Sequence, residues 1–225
     1  FEPLALAIFG PNVSRQLADT GRVIRPDDRL AVVMANPRED AARVAACVAA
    51  AIASRLPEGQ PAPAIQDAET AERILAIVHP PTQPPTAGSM GGVLPAEAGA
   101  LGFDWIVTIE DRSSRHVTDG IDSTPVPGRP EANRSEVRVG QTIIYRLHLV
   151  ATIADLREQR MRGSVQALVH TQGGAYLVWT RVDLSGAIVP MIEIPAGTSA
   201  MTICSALGRA VGDALAQSTS SESRP

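Results

Sequence analysis

The sequence predicts an α/β (α+β) fold: a mixed sheet with an antiparallel meander at about residues 142–194, packed by helices near 37–56, 67–78 and 199–217. Three observations carry that expectation. First, apolar and polar residues alternate through 142–156, where Ile143, Tyr145, Leu147, Leu149, Ala151 and Ile153 share one parity. A period of two marks a strand with one buried side. Second, further β-type runs follow at 164–171, 175–184 and 187–194. Their linkers, 157–163, 172–174 and 185–186, are short and glycine-bearing, as hairpins require. Third, segments of helical spacing stand before and after this region, which is how a sheet acquires a helical cover.

In chain order, residues 1–27 read as an amino-terminal arm, apolar at 4–9 and 13–17 around Gly10-Pro11 and closed by the turn signal Arg25-Pro26-Asp27-Asp28. A single domain is expected over 28–217. It opens with 30–34, apolar throughout, which suits a strand buried on both faces. Asn36 is placed to cap the next helix, with Pro37 at its first position and Glu39 in the capping-box place. Val44, Cys47, Val48, Ala51 and Ile52 then recur at helical spacing until Pro57 and Gly59 end the helix. The proline-spaced stretch 60–66 has room for one short strand. Asp67 caps a second helix with Ala71, Ile74, Leu75 and Val78 on one stripe. A loop is expected over 79–95, because prolines and glycines crowd it. A short helix at 96–100 leads through Gly102 into a strand at 103–110. Residues 111–140 are polar and proline-bearing and read as a surface insertion. Thr198 or Ser199 caps a last helix with Cys204, Leu207, Val211 and Leu215 on its stripe. Gly208 and Gly212, four apart, suit close contact with a sheet. A disordered tail is expected at 218–225.

Composition narrows the function classes. Hydrophobic residues make up 44% of 225, enough for a core, while aromatics make up only 3%. The net charge of −4 and the scarcity of aromatics argue against a dedicated nucleic-acid binder. The apolar run 4–9 is far short of the ~20 residues a spanning helix needs. The chain starts at Phe1, and removal of an export signal is the expectation. Two cysteines, Cys47 and Cys204, exclude a disulfide-dense scaffold, and there is no CxxC. Both fall on buried helix stripes, so a bridge between first and last helices and two free buried thiols are both open.

The candidate sites are few. Ala87-Gly88-Ser89-Met90-Gly91-Gly92 resembles a hydrolase nucleophile elbow, but prolines precede Ser89 where a strand should stand. Asn36, Glu110 and Asp111 lie at the carboxyl ends of two expected neighbouring strands, where open α/β sheets bind ligands or a metal. His79, His116, His148 and His170 have no metal-ligand spacing. Arg157, Arg160 and Arg162 cluster in one turn with Glu158, a solvated hairpin tip or a place to meet an acidic partner. Leu4, Leu6, Ile8 and Phe9 are too short a segment to cover themselves and are expected to contact a partner or a groove. No catalytic residue and no cofactor is expected.

Three stretches carry a family resemblance: the apolar strand 30–34 before an alanine-rich helix, Ala100-Leu101-Gly102-Phe103-Asp104-Trp105-Ile106-Val107, and Ala154-Asp155-Leu156 closing a long strand before a basic turn. Together they resemble the α/β domain shared by the curli-export lipoproteins, the amino-terminal domain of the Tol-system propeller protein and the lipoprotein activators of peptidoglycan synthases. The pattern covers about residues 28–217. Glu110-Asp111 stands where a glycine usually closes the strand, and no pore-forming segment stands out. The resemblance implies a non-enzymatic, periplasm-facing accessory or assembly protein of a bacterial envelope, lipid-anchored or free. Its partners would be other envelope proteins, without nucleic acid.

Overall fold

A computed structural model of the chain describes residues 11–18, 22–37, 40–78, 92–125, 135–180, 186–189 and 196–217, with side-chain detail outside 115–145 and 170–200. Its elements are β1 (Asn12–Leu17), β2 (Leu30–Met34), α1 (Ala41–Ala53), β3 (Ala64–Ile65), α2 (Ala68–Val78), a 3-10 helix (Ala96–Leu101), β4 (Trp105–Asp111), β5 (Ser114–Pro125), β6 (Ser135–Asp155), β7 (Arg160–Thr180), β8 (Gly186–Val189) and α3 (Ala196–Ala216). The fold is α/β, a mixed sheet covered by helices.

The described residues divide into two compact units. The α/β unit comprises 11–112, 148–168 and 200–217. Its strand order is β1-β7-β6-β4-β2-β3. β2 pairs in parallel with β3 and β4, and the pairs β4–β6 and β1–β7 are antiparallel. The chain leaves β2 through α1 for β3 on one side, then returns through α2 to β4 on the other. Right-handed crossovers taken in opposite directions must put α1 and α2 on opposite faces. The buried residues agree. Ala31, Val33, Ile106, Ala154 and Leu156 meet Ala71, Ile74 and Val78 of α2 and Ala98 of the 3-10 helix. Residues of the other parity, Leu30, Val32, Trp105, Val107 and Ile153, point to the face α1 covers and are equally buried.

α3 lies against α1. A Cβ on Gly208 would come within 2.5 Å of the Ala51 Cβ and 2.6 Å of the Val48 carbonyl oxygen, and one on Gly212 within 2.6 Å of the Arg55 Cβ. The glycines therefore admit a helix, where the sequence suggested a sheet. A disulfide joins Cys47 to Cys204, with Cα atoms 5.9 Å apart. On α3, Leu207 and Val211 are fully buried, and each such side chain contributes about 1.5–3 kcal/mol.

The hairpin unit comprises, among described residues, 113–125, 135–147, 169–180, 186–189 and 196–199. β5 pairs antiparallel with β6 from Ser114↔Arg146 to Pro125↔Ser135, and β8 pairs with β7 from Tyr176↔Val189 to Trp179↔Gly186. The segment 111–140, expected to be irregular, thus carries β5 and the start of β6. Asp119, Gly120 and Asp122 dilute its alternation, and pairing with β6 supplies the register that its own pattern lacks. The meander also differs in its breaks. β7 runs straight through Gln172-Gly173-Gly174, where a hairpin linker was expected.

Other boundaries shift for local reasons. α1 begins at Ala41, because the Asn36 amide is engaged elsewhere. The Asp40 carbonyl takes the first helical N–H groups, those of Arg43 and Val44. α2 starts as expected, the Thr70 N–H donating to Asp67 Oδ1 at 2.8 Å. α3 starts at Ala196, before Thr198 and Ser199. Part of the expected arm is β1, seated on β7 from Asn12↔Leu168 to Leu17↔Gly163. A side chain on Gly163 would run into the Gln16 carbonyl. Residues 1–10, the 79–91 part of the loop and the tail 218–225 lie outside the described residues.

The cysteine pair closes a loop with a sequence separation of 157, for which chain entropy gives an upper figure of about 5 kcal/mol. Reduction, or Cys47→Ala with Cys204→Ala, is expected to lower the unfolding free energy by up to that amount and the denaturant midpoint with it. A Gly208→Val substitution is expected to cost ~1–3 kcal/mol or more, since its methyls meet backbone. Urea unfolding followed by circular dichroism, with and without reductant, checks both.

Candidate functional site: a buried carboxylate and arginine cluster

Leu30, Trp105 and Asp155 sit side by side in register across β2, β4 and β6. Alternation puts all three on the α1 face, at the amino ends of the two parallel strands. Two residues before Leu30, Asp28 turns inward; Asp28 and Asp155 are both fully buried. Two carboxylates out of water need counter-charge. Arg22 supplies it. Its Nε donates to Asp155 Oδ2 at 2.9 Å, its Nη1 to Asp28 Oδ2 at 2.5 Å, and its guanidinium lies over the Trp105 ring at 4.6 Å from the centroid. The Trp105 indole N–H also donates to Asp28 Oδ2, at 2.9 Å. Planarity is what allows one side chain to serve two carboxylates and an aromatic face.

A second arginine binds the outer side. The Arg157 Nε donates to Asp104 Oδ1 at 2.6 Å, and its Nη2 lies 3.2 Å from Asp28 Oδ1, as an ion pair outside hydrogen-bond alignment. Asp104 accepts the Arg29 N–H at 2.7 Å. Asp155 also organises the turn after β6, accepting the N–H groups of Arg157 and Glu158, each at 3.1 Å. Arg162 is buried nearby, 6% exposed.

Asp28 and Asp104 favour the charged form. Burial opposes ionisation of Asp28, but the Arg25 N–H, the Trp105 indole and the Arg22 guanidinium outweigh it and hold its pKa below the ordinary carboxylate value. For Asp104, burial is likewise outweighed by Arg157 and the Arg29 N–H. Asp104 in turn raises the Arg157 pKa. Burial lowers that of Arg162, against the pull of Glu158 and Asp155. A carboxylate held ionised by bound arginines is a poor proton donor or acceptor at neutral pH. The arrangement is suited to clamping chain segments together.

Of the residues singled out from sequence, Arg157 pairs with Asp28 and Asp104 and Arg162 is buried, so that turn is not simply a solvated tip; Asn36, Glu110 and Asp111 lie at the opposite ends of β2 and β4. Asn36 and Asp111 are brought together: the Asn36 Nδ2 donates to the Asp111 carbonyl at 2.7 Å, and the Asp111 N–H donates to Asn36 Oδ1 at 2.9 Å. Both ends of the amide thus bind backbone and tie β2 to β4. Glu110 accepts from Arg112 Nη2 at 2.6 Å on the surface. His148 Nε2 is 3.2 Å from Gln166 Oε1. Leu4, Leu6, Ile8, Phe9, Ser89 and His79 lie outside the described residues, and the side chains of His116 and His170 are not described. No group of three or more metal-ligating side chains occurs among the described residues. No helix among them is long and apolar enough to cross a membrane. The sequence signals for these residues are separate ones: a turn at Asp28, an arginine-rich turn at 157–162, and Asp104 and Asp155 in stretches that carry the family resemblance.

No family model and no curated protein matches the chain. Among solved structures it is similar to the PelC dodecamer from Paraburkholderia phytofirmans, at 14% identity and a TM-score of 0.40, over 92% of this chain and 97% of that one. A point variant of the same dodecamer is similar at 13% identity and 0.40, over 92% and 99%.

Removing Arg22 leaves two buried carboxylates without their shared partner. Arg22→Ala is expected to cost about 3–5 kcal/mol, and Arg22→Lys to recover little of it, because an ammonium cannot bridge both acids. Chemical denaturation of both variants measures this. The pH dependence has a definite sign. Asp28 and Asp104 have folded pKa values below the ordinary 3.8. Their contribution is therefore complete above that value and is lost as pH falls through the lowered folded values. Stability measured from neutral pH down into the acid range should fall less steeply below pH 3.8 in Asp28→Asn and Asp104→Asn than in the parent.

Proposed function

We propose that the chain is a non-catalytic accessory or assembly protein of a bacterial cell envelope, facing the periplasm and acting through protein contacts. The carrying observation is the register of the hairpin unit. Val117 pairs with Ile143 and Ile121 with Val139, while Ser123 pairs with Val137 and Arg115 with Tyr145. Alternation puts these positions on one face of the β5–β6 ribbon, with the Asp119–Gln141 pair among them. The other parity reads Ser114, His116, Thr118, Gly120, Asp122 and Thr124 against Arg146, Ile144, Thr142, Gly140, Arg138 and Glu136. A ribbon with one mainly apolar face gains from a partner that covers it.

Two further points favour this reading. The Cys47–Cys204 bridge suits an oxidising compartment such as the periplasm. The resemblance to the curli-export, Tol and synthase-activator domains implies an envelope role by contact, and the apolar pattern of Leu4, Leu6, Ile8 and Phe9 separately suggests a second contact segment. A second reading has one observation in its favour: β5 has 12 residues, long enough for the roughly 9–11 of a membrane-crossing β-strand. The bilayer would then cover the apolar face.

The test is Val117→Asp with Ile121→Asp. Assembly size or partner capture is expected to fall at least about tenfold, while the α/β unit keeps its bridge and its unfolding midpoint. Unchanged assembly with an intact core overturns the protein-contact reading. Loss of flotation with phosphatidylcholine vesicles, at unchanged assembly size, would favour the bilayer reading instead. Deleting residues 1–10 tests the second segment in the same assay.

A further inference from the structure

The α1–α3 seam has an order built into it. Cys204, Gly208 and Gly212 recur every four residues on α3, and Cys47, Ala51 and Arg55 do so along α1 and the turn beyond it. The separation of 157 between the cysteines is kept by Ala51 with Gly208 and by Arg55 with Gly212. The two helices thus run parallel and in register, with the sulfurs toward the amino-terminal end and the glycine contacts further along. Those contacts rest on the absence of side chains and need no bridge. They bring the backbones close enough that the thiols meet.

Both cysteines are buried as residues, Cys47 slightly less so. Cys47 is 9% exposed and Cys204 1%. The turn of α3 that carries Cys204 also carries the exposed Met201. Helix ends open locally at less cost than the whole fold. On that principle, opening near Met201 is expected to come before loss of the Gly208 and Gly212 contacts.

We propose that the bridge closes last, on a seam already seated, by a dithiol oxidation in which Cys47 reacts first and Cys204 completes the bond. The Cys47 thiolate attacks the disulfide of an oxidant; that bond breaks, one oxidant sulfur leaves as thiolate, and a mixed disulfide forms. The Cys204 thiolate then attacks the Cys47 sulfur and expels the second oxidant sulfur. The chain gives up two electrons and two protons, and the oxidant disulfide becomes a dithiol. The reaction class that must supply the mature protein is therefore thiol oxidation by a disulfide-bearing oxidant. An isomerising step has no role, because two cysteines allow one intramolecular pairing.

The experiment uses the full-length chain, reduced and folded, with oxidised glutathione as the probe. Cys204→Ser should accumulate one glutathione adduct, at Cys47, about tenfold or more faster than Cys47→Ser accumulates one at Cys204, read by intact mass. Equal rates, a faster adduct at Cys204, or adducts only in denaturant overturn the proposal. The order is tested separately on Cys47→Ser with Cys204→Ser. Amide exchange across residues 203–215 should stay protected without the bridge; loss of that protection would show that the bridge seats the helix, and the proposal fails.

Discussion

Two carboxylates buried beside a tryptophan set the terms for the α/β unit. Asp28 and Asp155 have no exposure, and a carboxylate in that position persists only with a cation and hydrogen bonds around it. Arg22 is that cation, and it must reach the sheet from outside the strands. The course of the amino-terminal segment follows. β1 sits on β7 at one end of the strand order, and β2 lies three strands further in. Between them Ile24 is buried, its N–H donating to the Leu215 carbonyl at 2.9 Å. One side chain thereby fixes the path of a crossing segment against β4, β6 and the end of α3. A buried ion pair is a weak source of net stability compared with apolar packing. Its value here is specificity: it fits one path of the segment and penalises others.

The α1–α3 seam solves a different problem with different means. Helix α3 comes last in the chain and must find a helix that formed far earlier in sequence. Small residues let the backbones approach and the matched offset fixes their register; the disulfide, once closed, stabilises the seated seam by restricting the unfolded chain. Surface charge adds little to this. Asp213 pairs with Arg15 at 3.2 Å and Arg55 at 3.5 Å, all partly exposed, and such pairs contribute at most about 1 kcal/mol each.

The legible parts of the fold were those whose signal is local. The run 30–34, the Asp67 cap, the stripe Ala71–Ile74–Val78 and the alternation of 142–156 each contain their own pattern, and the elements stand where those patterns put them. Elements whose order depends on a distant partner were less legible. β5 has its alternation interrupted by Asp119, Gly120 and Asp122, and pairing with β6 supplies what is missing. Asn36 has the chemistry of a helix cap, but the Asp111 backbone, 75 residues away, takes both ends of its amide. The charged cluster is the extreme case. Arg22 and Asp155 are 133 residues apart, and nothing near either one says that they meet. The available hint was the pair of aspartates in the stretches that carry the resemblance. Sequence reasoning took them as marks of ancestry, when their chemistry also asked for a counter-charge.

The two units stand in contrast as chemistry. In the α/β unit, buried acids have arginines, the cysteines have each other, and the buried residues of β2, β4 and β6 have helices packed on them. The hairpin unit shares β6 and β7 with it, yet its register gathers Val117, Ile121, Val139 and Ile143 on one parity of a ribbon. Its described residues include only the first turn of α3 as helix. Apolar residues gathered on one parity gain from burial in proportion to their area, and the proposed contact role draws on that. That is why the proposed function rests on the ribbon, while the buried cluster, for all its charge, is assigned to holding the scaffold in shape.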